Sequence, residues 1–308
     1  MARGSSSYMG FVGVSTGGSS IRTVFPEWAG ALALPTRTLV GHDVPLDSPP
    51  EVYRDLVGEI RDDPEHWGAL VTTHKMAVHA AAADLFDELD ELAETFGEVS
   101  CIAKRGDRLL GSAKDPVTAR LALEEFMPAD HFARSGGCAL ILGSGGAGTA
   151  LSHQLGVRDD RPSTIVCTAL TREPLAHARG VHERAGIPDG LVDYALTDGP
   201  EQVDSLIAAL PAGSLVVNAT GMGKDRPGSP ATDAAVFPER GLVWEFNYRG
   251  PLDFWHQALR QQEQRDLHVE DGWRYFVHGW TQAVGEVFGV PMPPETVDEL
   301  GRIAERLR

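Results

Sequence analysis

Short strand-like runs alternate with segments of helical periodicity over residues 10–116. Residues 11–14, 37–43 and 69–72 predict β-strands, each a few residues long and rich in apolar side chains. Apolar positions recur at helix spacing in residues 24–34, 50–62 and 77–96, which predicts three helices. Residues 98–110 predict a β-hairpin that turns at Arg105-Gly106-Asp107.

The same alternation continues through residues 117–270. A helix is predicted at 117–126, and apolar runs follow at residues 139–142, 164–167, 191–194, 214–218 and 242–245. Helical segments separate these runs. Repeated strand–helix alternation with buried strands indicates a parallel sheet with helices on both faces. Residues 272–308 are predicted to be mostly helical, with breaks at Pro291, Pro293 and Pro294.

A glycine-rich turn, Gly143-Ser144-Gly145-Gly146-Ala147-Gly148, lies between the apolar run 139–142 and the helical segment 149–155. The order strand, glycine turn, helix lets backbone N–H groups approach a pyrophosphate at the positive end of a helix. In this position the turn predicts a dinucleotide site. The alternative is a tight strand–helix turn that binds no ligand.

Composition narrows the class of protein. The 308 residues allow a sizeable core and predict two domains. A net charge of −17 argues against non-specific nucleic-acid binding and against an anionic membrane surface. The chain has three cysteines, an odd number, and no pair of them has the spacing of metal ligands. We therefore expect no disulfide framework and no cysteine metal site, as in a protein of the reducing cytosol. The sequence shows no signal peptide and no bilayer-spanning run, and Met1–Ser7 is expected to be disordered.

Lys75 and Asp115 are candidate catalytic residues. Lys75 follows a predicted strand, and Asp115 follows the predicted hairpin. Lys75 comes just after the strand 69–72, where ligands of open α/β folds bind, and its ammonium can donate a proton to a substrate oxygen. The alternative is an ordinary solvated lysine. Asp115 either caps the following helix, with Pro116 at its first position, or pairs with Lys75 and binds a substrate hydroxyl.

Together with the glycine turn, these residues match a set of motifs that occur in the same order in one known protein family. Val71 to Lys75 is similar to a Val-Thr-x-x-x-Lys motif, and Gly97 to Asp115 is similar to Gly-Ala-Val-Asn-Thr…Gly-x-Asn-Thr-Asp. Asn218 to Met222 is similar to Asn-Ala-Thr…Gly-Met, and Glu245 to Tyr248 to Asp-x-x-Tyr. The chain therefore resembles the shikimate/quinate dehydrogenase family over almost its whole length, as a divergent member.

The resemblance implies an α/β fold of two domains with the active cleft between them. A substrate-binding and catalytic domain would comprise residues 10–116 and 278–308, and a Rossmann-type, doubly wound NADP-binding domain residues 117–277. NADPH would deliver hydride to a ring ketone, converting 3-dehydroshikimate to shikimate. Lys75 would stabilise charge on the oxygen and supply the proton, and Asp115 would position Lys75 and bind a neighbouring hydroxyl.

The resemblance also implies the cofactor-binding residues. Arg172 lies where the family places an arginine facing the 2′-phosphate, and no acidic residue stands at this strand end, so NADP is expected and NAD is the alternative cofactor. The residues expected to contact the cofactor are Gly143, Ser144, Gly145, Gly146, Ala147, Thr171, Arg172, Asn218, Thr220 and Met222.

The predicted substrate contacts include departures from the family pattern. Ser20 matches the first of two family serines that hold a carboxylate, but Arg22 stands at the second, where it either grips an anion or points to solvent while Ser19 or Ser20 caps the helix. Ser100 and Ala113 replace family asparagines, and the step from Thr72 to Lys75 is one residue shorter than usual. The expected substrate-binding residues are Ser20, Arg22, Thr72, Ser100, Tyr248 and Gln282, with His278 as an alternative to Gln282.

The prediction is thus a cytoplasmic oxidoreductase of aromatic amino acid biosynthesis, a monomer or homodimer, acting on a small anionic polyol. Alternatives are a reductase of a different cyclitol ketone in secondary metabolism and a binding protein that kept the fold without the chemistry. A folate or amino-acid dehydrogenase of similar layout is a weaker alternative.

Overall fold

The computed structural model describes residues 6–224 and 226–308. They form two compact units: the described residues up to Lys114 join Val277–Arg308 in the first, and the second is Asp115–Phe276. Within Met1–Ser7, predicted to be disordered, residues 1–5 lie outside the described part of the chain. At Ser7 that prediction is wrong, because Ser7 is buried and its carbonyl accepts a hydrogen bond of 2.5 Å from the Thr36 hydroxyl.

Strands and helices alternate along both units. In chain order the strands are β1 (Tyr8–Gly13), β2 (Leu39–Asp43), β3 (His66–Val71), β4 (Glu88–Leu89), β5 (Cys101–Arg105), β6 (Arg108–Ser112), β7 (Ala139–Leu142), β8 (Ile165–Ala169), β9 (Val192–Leu196), β10 (Leu215–Asn218), β11 (Leu242–Glu245) and β12 (His268–Glu270). The helices are α1 (Ile21–Ala31), α2 (Pro50–Asp62), α3 (Lys75–Ala82), α4 (Glu91–Phe96), α5 (Asp115–Glu124), α6 (His131–Ser135), α7 (Gly146–Val157), α8 (Arg172–Arg184), α9 (Pro200–Ala208), α10 (Asp253–Leu259), α11 (Gln262–Arg265), α12 (Trp273–Phe288) and α13 (Pro294–Glu305).

The described residues of the first unit build a six-stranded sheet of order β2-β1-β3-β5-β6-β4. β1 pairs in parallel with β2 and β3, and the β5–β6 hairpin is antiparallel, as predicted. One core of this unit includes Val57 of α2, Val78 of α3 and Val71 of β3. Because β1, β2 and β3 are parallel, the segments that lead to α1, α2 and α3 all start at the same edge of the sheet. This edge carries Lys75.

The second unit contains a six-stranded sheet of order β12-β11-β10-β7-β8-β9, counted over its described residues, and every pair in it is parallel. The chain starts at β7 in the middle, builds outward to β8 and β9, and then crosses to β10, β11 and β12. This is the strand order of dinucleotide-binding Rossmann folds, whose ligand lies at the carboxyl ends beside the first strand. The predicted α/β class with a doubly wound sheet is confirmed.

One predicted helix, residues 77–96, is wrong as a single element. α3 ends at Ala82, a 3₁₀ turn covers Ala83–Leu85, and β4 and α4 follow. Asp90 ends the continuity because its carboxylate accepts a hydrogen bond of 2.7 Å from the Ala93 N–H and so caps a new helix. β4 pairs with β6, so tertiary pairing overrides the helical propensity of this acidic and leucine-rich segment.

Candidate functional site

The glycine turn of the second unit links β7 to the first turn of α7. Gly143 has φ of +92°, and a Cβ there would lie 2.9 Å from the carbonyl carbon of Ala219. A Cβ on Gly148 would overlap the Gly143 carbonyl oxygen. Both positions therefore require glycine. Gly145 is exposed, and no atom lies within 4 Å of the place that a Cβ would take there, so the backbone at the N-terminus of α7 is open to solvent.

Ser144, within this turn, is 2% exposed. Its hydroxyl donates a 2.9 Å hydrogen bond to the Thr168 carbonyl at the end of β8, and its carbonyl accepts one of 3.2 Å from the Thr149 hydroxyl. The side chain thus fastens the turn to the neighbouring strand. Gly146 and Ala147, in contrast, open α7 with their backbone and are half-buried.

Thr171 and Arg172 stand at the carboxyl end of β8, next to the glycine turn in the sheet order. Thr171 is the N-cap residue of α8, and its hydroxyl bonds to Glu173, which lowers the pKa of that carboxyl. Arg172 is exposed in the first turn of α8. Its guanidinium is therefore accessible to an anion.

The loop after β10 is organised by Asn218. The Asn218 Oδ1 accepts hydrogen bonds from the hydroxyl of Thr220 at 2.6 Å and from its N–H at 3.1 Å, and the Met222 N–H then donates to the Thr220 hydroxyl at 3.1 Å. All three residues were predicted to contact the cofactor. They are brought together in one hydrogen-bonded loop beside Gly143, whose neighbours are Ala219 and Thr220.

Beneath this loop lies a fully buried carboxylate, Glu245, at the end of β11. Asn218 Nδ2 donates to its Oε2 at 2.7 Å, and Asn247 donates to its Oε1 with both backbone and side chain at 2.8 and 2.7 Å. Burial raises the pKa of Glu245 to about 7, although these hydrogen bonds and Lys224 act in the opposite direction. Sequence reasoning noted Glu245 only within a motif and missed Asn247, although Glu245 ends a buried strand and Asn247 lies two residues after it.

Tyr248 packs its ring within an aromatic group of the second unit. The ring centroid lies 4.5 Å from that of Phe276 and 5.9 Å from that of Trp273, and the Arg249 guanidinium lies 5.9 Å from the Tyr248 ring. Tyr248 remains half-buried. Its place three residues after Glu245 fits the predicted motif, and its contact with substrate stays a prediction.

In the first unit, Thr72 and Lys75 follow β3. The Thr72 hydroxyl donates a 3.0 Å hydrogen bond to the Val12 carbonyl of β1, and Thr72 is half-buried. Lys75 is the first residue of α3, and its carbonyl accepts a 3.0 Å hydrogen bond from the Val99 N–H. His74, between them, is buried and was missed as a site residue. Thr72 therefore ties the end of β3 to β1, and Lys75 leaves from an anchored main chain.

The loop between β1 and α1 carries Ser20 and Arg22. Ser20 occupies the N-cap position of α1 but makes no side-chain capping bond, so the alternative in which its hydroxyl caps the helix is wrong. Thr16 in this loop donates to Asp43 from its N–H at 2.8 Å and from its hydroxyl at 2.6 Å. These bonds lower the pKa of Asp43, and the charge of the exposed Arg22 adds to the effect. Asp43 was missed, although it ends a predicted strand.

Ser100 and Asp115 flank the β5–β6 hairpin. Ser100 is 3% exposed, and its hydroxyl accepts a 2.6 Å hydrogen bond from the Lys114 N–H and bonds at 3.4 Å to the Ser112 carbonyl. Ser100 thus holds the main chain just before Asp115. Asp115 is the half-buried first residue of α5. Its pairing with Lys75 stays a prediction.

Gln282 and His278 both lie on α12, one turn apart. Gln282 is half-buried and His278 is buried.

In the portion of the chain that the structure describes, no group of three or more His, Cys, Asp or Glu side chains is arranged to hold a metal ion. No helix among the same residues is long and apolar enough to cross a membrane.

Several known proteins are similar in sequence to most of this chain. No family model matches it. A shikimate dehydrogenase (NADP⁺) of Methylobacterium radiotolerans is 30% identical over 275 residues, which cover 87% of this chain and 90% of the relative. A second shikimate dehydrogenase (NADP⁺), from Symbiobacterium thermophilum, is 29% identical over 235 residues, covering 76% of this chain and 74% of the relative.

Solved structures of similar fold match nearly the full length. A shikimate 5-dehydrogenase of Listeria monocytogenes, in complex with shikimate and NAD, gives a TM-score of 0.71 at 20% identity over 96% of both chains. The Thermus thermophilus enzyme, in complex with NADP(H) and shikimate, gives 0.67 at 23% identity over 97% of this chain and 99% of that chain. A 5-ketofructose reductase of Gluconobacter gives 0.69 at 17% identity over 98% of both. The resemblance drawn from the motifs is confirmed by the 30% identical relative, and this chain belongs to the shikimate dehydrogenase family.

Proposed function

We propose that the chain is an NADP-dependent shikimate dehydrogenase, which interconverts 3-dehydroshikimate and shikimate. The observation that carries the proposal is the match to an NADP⁺ shikimate dehydrogenase over 90% of that relative's length. The Rossmann strand order with a glycine turn after its first strand supports the cofactor assignment. We assign cofactor binding to the second unit and most of the substrate contacts to residues of the first.

NADPH supplies the hydride when it is bound. In the direction of reduction, that hydride would add to the ketone carbon, and Lys75 would stabilise the charge that develops on the carbonyl oxygen and deliver a proton to it. A fixed cation beside the developing charge lowers the barrier. We also assign a neighbouring hydroxyl of the substrate to Asp115. Water returns the proton to the Lys75 amine after turnover.

The substrate is an anionic polyol, so its recognition needs a cation and several hydroxyl partners. We propose that Arg22 and Ser20 bind its carboxylate, and that Thr72, Tyr248 and Gln282 bind hydroxyl groups. Asp43 beside Arg22 offsets part of the cation's charge and fixes the loop through Thr16. Ser100 contributes through the main chain of Lys114, because its hydroxyl is engaged there.

NADP is distinguished from NAD by its 2′-phosphate. We assign the phosphate to Arg172, which is exposed at the start of α8, at the carboxyl end of β8. The pyrophosphate is assigned to the backbone of Gly145, Gly146 and Ala147 at the N-terminus of α7. We assign Met222 and Thr220 to the nicotinamide end of the cofactor.

We further propose that the enzyme works in the cytoplasm, in aromatic amino acid biosynthesis, as a monomer or a homodimer. The three cysteines support a reducing compartment, since all are free and two of them, Cys101 and Cys167, are fully buried thiols whose pKa is raised to about 12. Sedimentation of the purified protein will decide between the two assembly states.

A second candidate is a reductase that acts on a different polyol ketone. Arg22 in place of a family serine and Ser100 and Ala113 in place of family asparagines favour it, because each changes a contact expected at the substrate ring. The similar fold of a 5-ketofructose reductase shows that this architecture is not confined to one substrate.

The test is an initial-rate assay of the purified protein, with NADP and NAD separately on shikimate, quinate and a small set of cyclitols, and with NADPH and NADH separately on keto sugars. NADP-dependent oxidation of shikimate is expected, with Lys75→Ala losing about 10² to 10⁴ of the rate and the matched Lys104→Ala retaining it. NADPH binding without turnover of shikimate or quinate would replace the proposal by the second candidate. Full activity of Lys75→Ala would remove Lys75 from the mechanism.

A further inference from the structure

His74 is the residue directly before Lys75 and is 3% exposed. It occupies the N-cap position of α3, but its side chain does not cap that helix. The imidazole instead reaches two other segments of the first unit. The Tyr53 hydroxyl of α2 lies 3.1 Å from His74 Nδ1, and the Val44 carbonyl after β2 lies 2.8 Å from His74 Nε2.

The partners of the ring fix its tautomer. A carbonyl oxygen can only accept, so Nε2 must carry the hydrogen that bonds to Val44. In the neutral ring Nδ1 is then an acceptor, and the Tyr53 hydroxyl donates to it. Both ring nitrogens are thus satisfied in one orientation. Tyr53 is itself 3% exposed and belongs to the core of the unit, so this partner is held in place.

The main chain around Lys75 is held from the other side as well. The Lys75 carbonyl accepts from the Val99 N–H at 3.0 Å, and the His74 carbonyl accepts from the Val78 N–H at 2.8 Å. The first turn of α3 is therefore tied to α2, to the segment after β2 and to the approach to β5. The Lys75 side chain leaves from the centre of these ties.

We propose that His74, held by Tyr53, is a positioning residue that sets where the Lys75 ammonium is presented to the substrate. The inference rests on the proposed function, because the position of the ammonium matters for rate only if Lys75 takes part in the reaction. His74 acts through Lys75 and its two nitrogens are occupied by Tyr53 and Val44. A displacement of a reacting group by about 1 Å can cost a hundredfold in rate.

Three variants separate the hydrogen bonds from simple packing. Tyr53→Phe removes one hydroxyl, His74→Leu removes both ring contacts, and His74→Gln keeps one donor and one acceptor. We expect kcat to fall about tenfold to a hundredfold in the first two, with partial recovery in His74→Gln. The KM for substrate and the Kd for NADP should stay within about twofold, since ground-state binding is untouched.

The matched control is Tyr8→Phe. It removes a hydroxyl that donates to Asp63 at 2.7 Å in the same unit, at the start of β1 rather than at its carboxyl end. This variant should keep its kcat. Equal losses in Tyr8→Phe and Tyr53→Phe would overturn the proposal, because they would report only a general loosening of the unit.

A second readout needs no substrate. The acylation rate of the Lys75 amine is followed by peptide mass spectrometry, with Lys104 of the same sample as the internal reference. We expect Tyr53→Phe and His74→Leu to change the Lys75 rate and Tyr8→Phe to leave it. A lower melting temperature with unchanged kcat and labelling would assign His74 to structure alone and overturn the proposal. If the wild type turns over no shikimate, the proposed function fails, but the labelling rate still shows whether His74 places the Lys75 amine. If His74→Leu does not fold, the kcat and the labelling rate of Tyr53→Phe decide between positioning and structure.

Discussion

The side-chain amide of Asn218 lies 2.7 Å from Oε2 of Glu245, and Glu245 is fully buried. The same amide also donates to the Met222 carbonyl at 3.2 Å. The carboxylate therefore orients Asn218, Asn218 orients Thr220 and Met222, and the loop expected at the nicotinamide takes one shape.

Glu245→Gln tests this chain of contacts. The variant keeps the size of the side chain but turns one oxygen into an NH₂ group, which would face the donating NH₂ group of Asn218 or Asn247. An unsatisfied buried donor costs about 1 to 3 kcal/mol, so we expect a lower melting temperature and weaker NADP binding by calorimetry. Glu263→Gln, exposed on α11, is the control. Wild-type NADP affinity in Glu245→Gln would show that the loop does not depend on the carboxylate.

The glycine turn offers a matched pair of alanine substitutions. Gly148→Ala should unfold or strongly destabilise the second unit, since its Cβ would overlap the Gly143 oxygen. Gly145→Ala should leave the melting temperature nearly unchanged, because nothing lies within 4 Å of its Cβ, and should still weaken NADP binding by filling the space beside the helix N-terminus. Unaltered NADP affinity in a folded Gly145→Ala protein would contradict the placement of the pyrophosphate.

Arg172→Ala tests the choice of cofactor. Loss of one charge-assisted contact to phosphate is worth about 1.5 to 3 kcal/mol, which is roughly ten- to a hundredfold in the Kd for NADP. The Kd for NAD should hardly change, because NAD lacks the 2′-phosphate. Arg184→Ala, at the other end of α8, serves as the control. Equal losses for both cofactors would place the phosphate elsewhere.

The buried side chain of His182 is expected to make the folded protein less stable in acid. The Ser152 hydroxyl bonds to the Thr149 carbonyl at 3.0 Å, so His182 Nε2 donates to Ser152 at 3.0 Å while Nδ1 faces the Tyr194 hydroxyl at 2.7 Å. Burial lowers the pKa of His182 to about 4, so this ring is neutral in the folded state down to that pH.

Because the pKa of an unfolded histidine is near 6.5, the unfolded chain binds more protons between pH 4 and 6.5. The contribution of His182 to stability, about 2 to 3 kcal/mol, is therefore present above pH 6.5 and is lost as the pH falls toward 4. Urea unfolding across this range should show a shallower loss in His182→Gln than in the wild type. Glu245, whose pKa is raised, changes the pH dependence of stability in the opposite direction in both proteins. The quantity to compare is therefore the difference in unfolding free energy between the wild type and His182→Gln. Parallel curves would contradict the prediction.

Much of the fold was predictable because its signals are local. The apolar runs at 139–142 and 242–245 coincide with β7 and β11, and the helix at 50–62 coincides with α2. The segment 77–96 failed because pairing of Glu88 and Leu89 with β6 depends on a strand far along the chain. Local propensity carries no information about such a partner.

The glycine turn was predictable because its backbone geometry demands glycine, as at Gly143 and Gly148. The candidate site was not predictable where a side chain has two uses. Ser100 carries the same hydroxyl whether it binds a substrate or the Lys114 N–H, and only the fold shows the second. His74 and Glu245 are held by partners on other elements, Tyr53 and Asn218, which no spacing along the chain reveals.

The division of the chain has a consequence for synthesis on the ribosome. The second unit is one continuous segment, Asp115–Phe276, and it interrupts the first. Its six strands can therefore pair while the first unit still lacks residues 277–308. The Trp28 indole of α1 donates to the Leu300 carbonyl of α13, which is 272 residues later in the chain. The Cys101 thiol likewise bonds to the Ala283 carbonyl of α12, so neither bond can form until these late residues have been synthesised. The part of the protein that starts first is thus expected to finish last.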